Sequence, residues 1–102
     1  MKMPEECANM KDIRGEIDAL DKEVIALLGR RFGYVQAASK FKTSQADVRA
    51  PQRFEAMLEQ RRIWAQDAGL SPDAIEKMYR DLVNYFIAEE MQSFQNLDLT
   101  GK

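Results

Sequence analysis

The sequence predicts an all-α fold of three helices in the order long, medium, long. Three observations carry that prediction. Apolar residues recur at steps of three and four from Ile13 to Phe41, the spacing of one helical face. Strong helix boundaries follow at Pro51 and along Gly69-Leu70-Ser71-Pro72-Asp73. No stretch shows the period-two alternation of a strand. With 102 residues, the chain reads as a single helical domain spanning 1–102.

Asn9 is placed to cap the first helix, with Asp12 three residues on in the manner of a capping box. The pattern continues to about Lys42 without a proline, although Gly15, Gly29 and Gly33 lower its local propensity. Such a helix is a rod of roughly 50 Å. A compact domain of this size has a radius of gyration of only about 13 Å. The rod therefore needs a partner along its length, and a second copy of the chain is the simplest one.

The stretch 43–50 loses the periodicity and reads as a loop. Pro51 suits the first position of the second helix, which carries Phe54, Met57, Leu58, Arg61 and Trp64. Gly69 is expected to end it as a left-handed cap. Ser71 then caps the third helix, with Pro72 in its first turn and Asp73 near the positive end of the dipole. That helix carries Ile75, Tyr79, Leu82, Val83, Phe86, Ile87, Met91 and Phe94. Residues 1–9 and 98–102 are expected to be flexible.

Composition narrows the chemistry. The formal net charge of −2 argues against a nucleic-acid partner, which would call for a basic stripe. No apolar run approaches the roughly 20 residues of a membrane span. The start, MKMPEECANMKD, lacks the apolar core of a signal peptide, so a cytoplasmic protein is expected. There is no histidine, which excludes Ser-His and Cys-His nucleophiles and zinc sites built on His. The lone Cys7 has no internal disulfide partner and reads as incidental. No glycine-rich phosphate loop is present. No metal or cofactor is expected.

The charges out of place are more informative. The first helix's apolar seam runs Ile17, Leu20, Val24 and Leu27, then meets Arg31, Val35, Ala38 and Lys42. Arg31 and Lys42 are about three turns apart, roughly 16 Å along one face, with small Ala38 between them. A guanidinium in an apolar seam is costly unless an anion meets it. On the third helix Glu90 likewise falls on the stripe of Val83, Phe86, Ile87 and Phe94. An Arg31–Glu90 ion pair holding helix register is one explanation. A bound dianion is the other, since one glutamate does not answer both Arg31 and Lys42. Arg14 and Arg53 read as solvated surface arginines, Arg30, Arg61 and Arg62 as surface or intersubunit charges, and Trp64 as core.

The spaced set Asp12-Ile13-Arg14, Ile17-Asp18, Leu20-Asp21, Leu27-Leu28, Arg30-Arg31, Val35 and Lys42, with Ile87-Ala88-Glu89-Glu90, resembles the all-helical chorismate mutase family. Met1-Lys2, Pro4-Glu5, Cys7, Gly29-Arg30-Arg31, Tyr34-Val35 and Ala37-Ala38-Ser39 look closer to one branch, the isochorismate-pyruvate lyases. The resemblance implies an intertwined homodimer with two equivalent active sites. It places substrate-binding arginines at Arg31 and, across the interface, Arg14. It places the active-site lysine at Lys42, a further arginine at Arg53, and a ligand-covering loop at 43–50.

Two departures shape the expected activity. Mutases of this family carry a glutamate just after the arginine of helix two, which contacts the substrate's C4 hydroxyl. Here the segment reads Pro51-Gln52-Arg53-Phe54, without that carboxylate, which favours isochorismate, whose hydroxyl is at C2. Glu90 stands where close relatives have glutamine, and a carboxyl donates a hydrogen bond only when protonated. The resemblance thus implies a cofactor-free lyase that converts isochorismate to salicylate and pyruvate, as in siderophore pathways, with Lys42 and Glu90 catalytic. Chorismate mutase activity and a non-catalytic helical dimer are the competing readings.

Overall fold

A computed structural model describes residues 1–41 and 50–99. Among them are three long helices, α1 (Met10–Ala38), α2 (Pro51–Asp67) and α3 (Pro72–Leu99), and no strand. Short 3-10 turns lie at Pro4–Glu6 and Ser39–Phe41. The all-α, long–medium–long order is the one expected from the sequence. The chain divides into two units, Met1–Tyr34 and Val35–Lys102.

In the first unit the N-terminal residues are tied to the start of α1. The Asp12 backbone N–H donates to Asn9 Oδ1 at 2.9 Å, the cap that the sequence implies. The Asp12 carboxylate reaches back to the Ala8 N–H at 3.0 Å, one residue before the cap, and also accepts from Lys2 Nζ at 3.0 Å. The Ala8 bond, followed by that of Lys2, lowers the Asp12 carboxyl pKa below its ordinary value. Within 1–9, where mobility was expected, Pro4 opens a helical turn and Glu6 Oε1 accepts from the Met3 N–H at 2.7 Å.

Helix α1 buries none of its residues. Its apolar seam is open: Leu20 is 45% and Val24 51% exposed, and Ile17 and Leu27 are similar. At about 43 Å the helix is slightly shorter than the rod read from the sequence. It stops at Ala38 and tightens into the 3-10 turn Ser39–Phe41, a common way for a helix to end. The expectation of one continuous α-helix as far as Lys42 is thereby corrected.

In the second unit α2 and α3 form an antiparallel hairpin. Pro51 stands in the first turn of α2 as expected, after Ala50, whose backbone is left-handed at φ 37°. At the other end Gly69 takes φ 78°. Its N–H bonds the Gln66 carbonyl at 3.1 Å, and the Leu70 N–H bonds that of Ala65 at 2.8 Å. These are the two bonds of a Schellman cap, and they use carbonyls that a helix end otherwise leaves unpaired. Ser71 Oγ accepts from the Ala74 N–H at 3.1 Å and opens α3. Helix α3 continues to Leu99, into the stretch expected to fray.

Met57, Leu58 and Ala65 of α2 and Phe86 and Met91 of α3 are the buried apolar residues among those described. Leu58, at 2% exposure, has the most complete burial, worth about 1.5–3 kcal/mol of transfer free energy. Trp64 is not core, contrary to expectation: it is 52% exposed, with the Arg61 guanidinium 4.6 Å from its ring centroid. An arginine over an aromatic face is stabilised by the ring quadrupole, so this tryptophan has a reason to lie at the surface.

Candidate active site

Arg14 and Arg31 both lie on α1 in the first unit. Arg14 is exposed in its second turn, while Arg31 is half-buried near its far end. Seventeen residues separate them, about 25 Å along the axis. One copy of α1 therefore cannot close both guanidinium groups on one small molecule. Arg31 already has an interaction partner within the chain, so an unmet charge is not what recommends it as a ligand contact.

Glu90 is the buried charged residue among those described, at 6% exposure. The sequence placed it on the apolar stripe of the third helix, and the fold puts Phe86 of that stripe and the adjacent Met91 in the core. Glu90 also has a partner within the chain. Burial of a carboxyl is costly without such partners, which makes this position chemically unusual.

Arg53 is exposed in the first turn of α2. The hairpin's register follows from its ion pairs. Arg62, near the end of α2, donates to Asp73 and Glu76 at the start of α3, both at 2.8 Å. Arg80, further along α3, reaches back to Glu55 near the start of α2 at 3.4 Å. Arg53 and Glu90 thus belong to the same end of the hairpin, with Glu90 about 15 Å beyond Arg80 along α3. Lys42 and residues 43–49 of the expected ligand-covering loop lie outside the described residues.

The sequence pattern makes Arg62 a surface or intersubunit charge and gives Arg80 no role. Both are half-buried and tie α2 to α3. Arg80 Nη2 also donates to Glu76 Oε2 at 2.8 Å, so Glu76 receives two guanidinium groups. Arg80 first, then Arg62, hold the Glu76 carboxyl below its usual range, while both arginines are pushed up. The i,i+4 spacing of Glu76 and Arg80 was legible in the sequence. Their meeting with α2 was not.

The comparisons with known proteins agree with this architecture. The family model described as Chorismate mutase type II matches residues 13–91. An isochorismate pyruvate lyase of Pseudomonas aeruginosa is 42% identical over 92 residues, covering 90% of this chain and 91% of that protein. A T-protein of Haemophilus influenzae is 40% identical over 81% of this chain, but only 22% of that longer protein is matched. A T-protein of Enterobacter agglomerans is 29% identical, with 25% of its length covered. The chain belongs to the chorismate mutase type II family.

Proposed function

We propose that this protein is an isochorismate-pyruvate lyase, converting isochorismate to salicylate and pyruvate. The observation that carries the reading is the similarity to the Pseudomonas aeruginosa lyase, which spans nearly the full length of both chains. Residues 1–102 are read as one domain, since the family match runs from α1 into α3. The first turn of α2, Pro51-Gln52-Arg53-Phe54, offers no carboxylate to a C4 hydroxyl, which favours isochorismate over chorismate.

The reaction is a concerted elimination. The hydrogen at C2 moves to the enolpyruvyl methylene as the ether C–O bond breaks, giving pyruvate and the aromatic ring of salicylate. No base, nucleophile or cofactor has to enter, so the protein's contribution is positioning and electrostatics. Arg31 and Arg14 hold the substrate's two carboxylates, Arg14 coming from a second copy. Lys42 stabilises negative charge growing on the ether oxygen, and protonated Glu90 donates to that oxygen. Arg53 contributes a further cation, and the loop after Lys42 excludes water.

A homodimer fits two observations. The α1 seam exposes Ile17, Leu20, Val24 and Leu27, and Arg14 is about 25 Å along α1 from Arg31. No helix among the described residues is long and apolar enough to cross a membrane, and the protein is taken to act in the cytoplasm.

Supplying isochorismate and chorismate separately tests the reading. Salicylate fluorescence from isochorismate is the expected result, and Lys42→Ala abolishes it. Prephenate from chorismate with no salicylate would make the protein a mutase. Neither product would leave a helical interaction module.

A further inference from the structure

Arg80 makes three contacts with consequences for the start of α2. Its guanidinium donates to Glu55 at 3.4 Å and to Glu76 at 2.8 Å. The same group lies 5.7 Å from the centroid of the Phe54 ring. Phe54 and Glu55 directly follow Arg53 in the chain.

Among the described residues, that turn has no side-chain cap. The residue at its N-cap is Ala50, which cannot cap with a side chain and none does. Ala50 is also held at φ 37°, a left-handed conformation that L-residues disfavour and that lies just before a proline. Pro51 has no N–H, and the first bond across the turn is that of the Phe54 N–H to the Ala50 carbonyl at 3.0 Å. A strained, uncapped turn opens readily unless tertiary contacts hold it. Arg80 supplies such contacts on two successive side chains.

We propose that Arg80 is a positioning residue: through Phe54 and Glu55 it fixes the first turn of α2, and with it the direction in which Arg53 meets the anionic substrate. This inference rests on the lyase reading for its substrate, while its structural half stands independently. Arg62 provides the internal control. It ties the same two helices through the same Glu76, but at the far end of α2.

The experiment compares Arg80→Gln, Arg80→Lys and Arg62→Gln by amide hydrogen exchange and by steady-state kinetics with isochorismate. In Arg80→Gln, the Phe54 amide, which makes the first bond of the turn, and the Glu55 amide after it should exchange about tenfold faster, while Arg62→Gln leaves them as in the wild type. KM for isochorismate should rise about fivefold in Arg80→Gln with kcat within about twofold, as for a lost binding contact. Arg80→Lys, which keeps the charge but not the fork, should recover part of both effects. If Arg80→Gln does not fold, Phe54→Leu, which removes the ring beneath the guanidinium, should loosen the same amides. Equal responses in Arg80→Gln and Arg62→Gln would overturn the positioning role. Unchanged exchange of amides 54 and 55 in Arg80→Gln would do the same. A wild type without salicylate production overturns the lyase reading and the substrate half of this inference, while the exchange comparison still decides whether Arg80 holds the turn.

Discussion

Arg62 on α2 donates to the Glu76 carboxylate on α3 at 2.8 Å, and this pairing fixes which parts of the two helices meet. Among the described residues the bond is one of two that Glu76 accepts, the other coming from Arg80 four residues along its own helix. A carboxylate shared between two guanidinium groups carries a pH signature.

The Glu76 pKa in the folded chain lies below its ordinary value of 4.5. The unfolded chain therefore takes up a proton first as pH falls. The pair's contribution to stability is present above about pH 4.5 and disappears as pH drops through the lower folded value. Urea midpoints measured from pH 7 to pH 3 should fall more steeply for the wild type than for Glu76→Gln. Parallel curves would mean that the two ion pairs do not bear on folding.

Gly69 occupies φ 78°, and a Cβ placed there would meet nothing within 4 Å. Gly69→Ala therefore adds no clash and costs only the left-handed backbone, about 1–2 kcal/mol. Chemical denaturation measures this directly. A larger loss would require a contact that the glycine does not make.

Leu20 and Val24 lie on the open face of α1 in the single chain. If a second copy covers them, Leu20→Glu with Val24→Glu buries two carboxylates at the interface and separates the dimer. Sedimentation should show a monomer, and salicylate formation should be lost with it, because Arg14 then has no second copy to serve. A dimer that survives both changes would place the interface elsewhere.

Glu90 is buried, and as a carboxyl it donates only while it carries its proton, whereas an amide donates at every pH. Glu90→Gln, which keeps a donor of similar size, should retain salicylate formation, whereas Glu90→Leu, which has none, should lower kcat about tenfold. Equal kcat in Glu90→Leu and the wild type would remove Glu90 from the chemistry.

Much of the local structure could be read directly from the sequence. Asn9, Pro51, Gly69 and Ser71 mark helix ends because capping is decided within four or five residues, and the observed bonds follow those marks. Glu90 was legible for a similar reason. A carboxylate at a helical stripe position is conspicuous by its period alone. Where α1 gives way to a 3-10 turn was harder to read, since no proline marks the change.

By itself, the sequence determined the helical class, the boundaries of α2 and the start of α3, and the family to which the chain belongs. Each rests on short-range spacing or on a residue pattern carried along the chain. Only the tertiary structure decided that Arg62 and Arg80 bind α2 to α3, that Trp64 lies outside the core beneath Arg61, and that Glu90 is buried. The physical reason is range. A cap is satisfied by its own neighbours, whereas a guanidinium 25 residues from its carboxylate finds it only after two helices have packed.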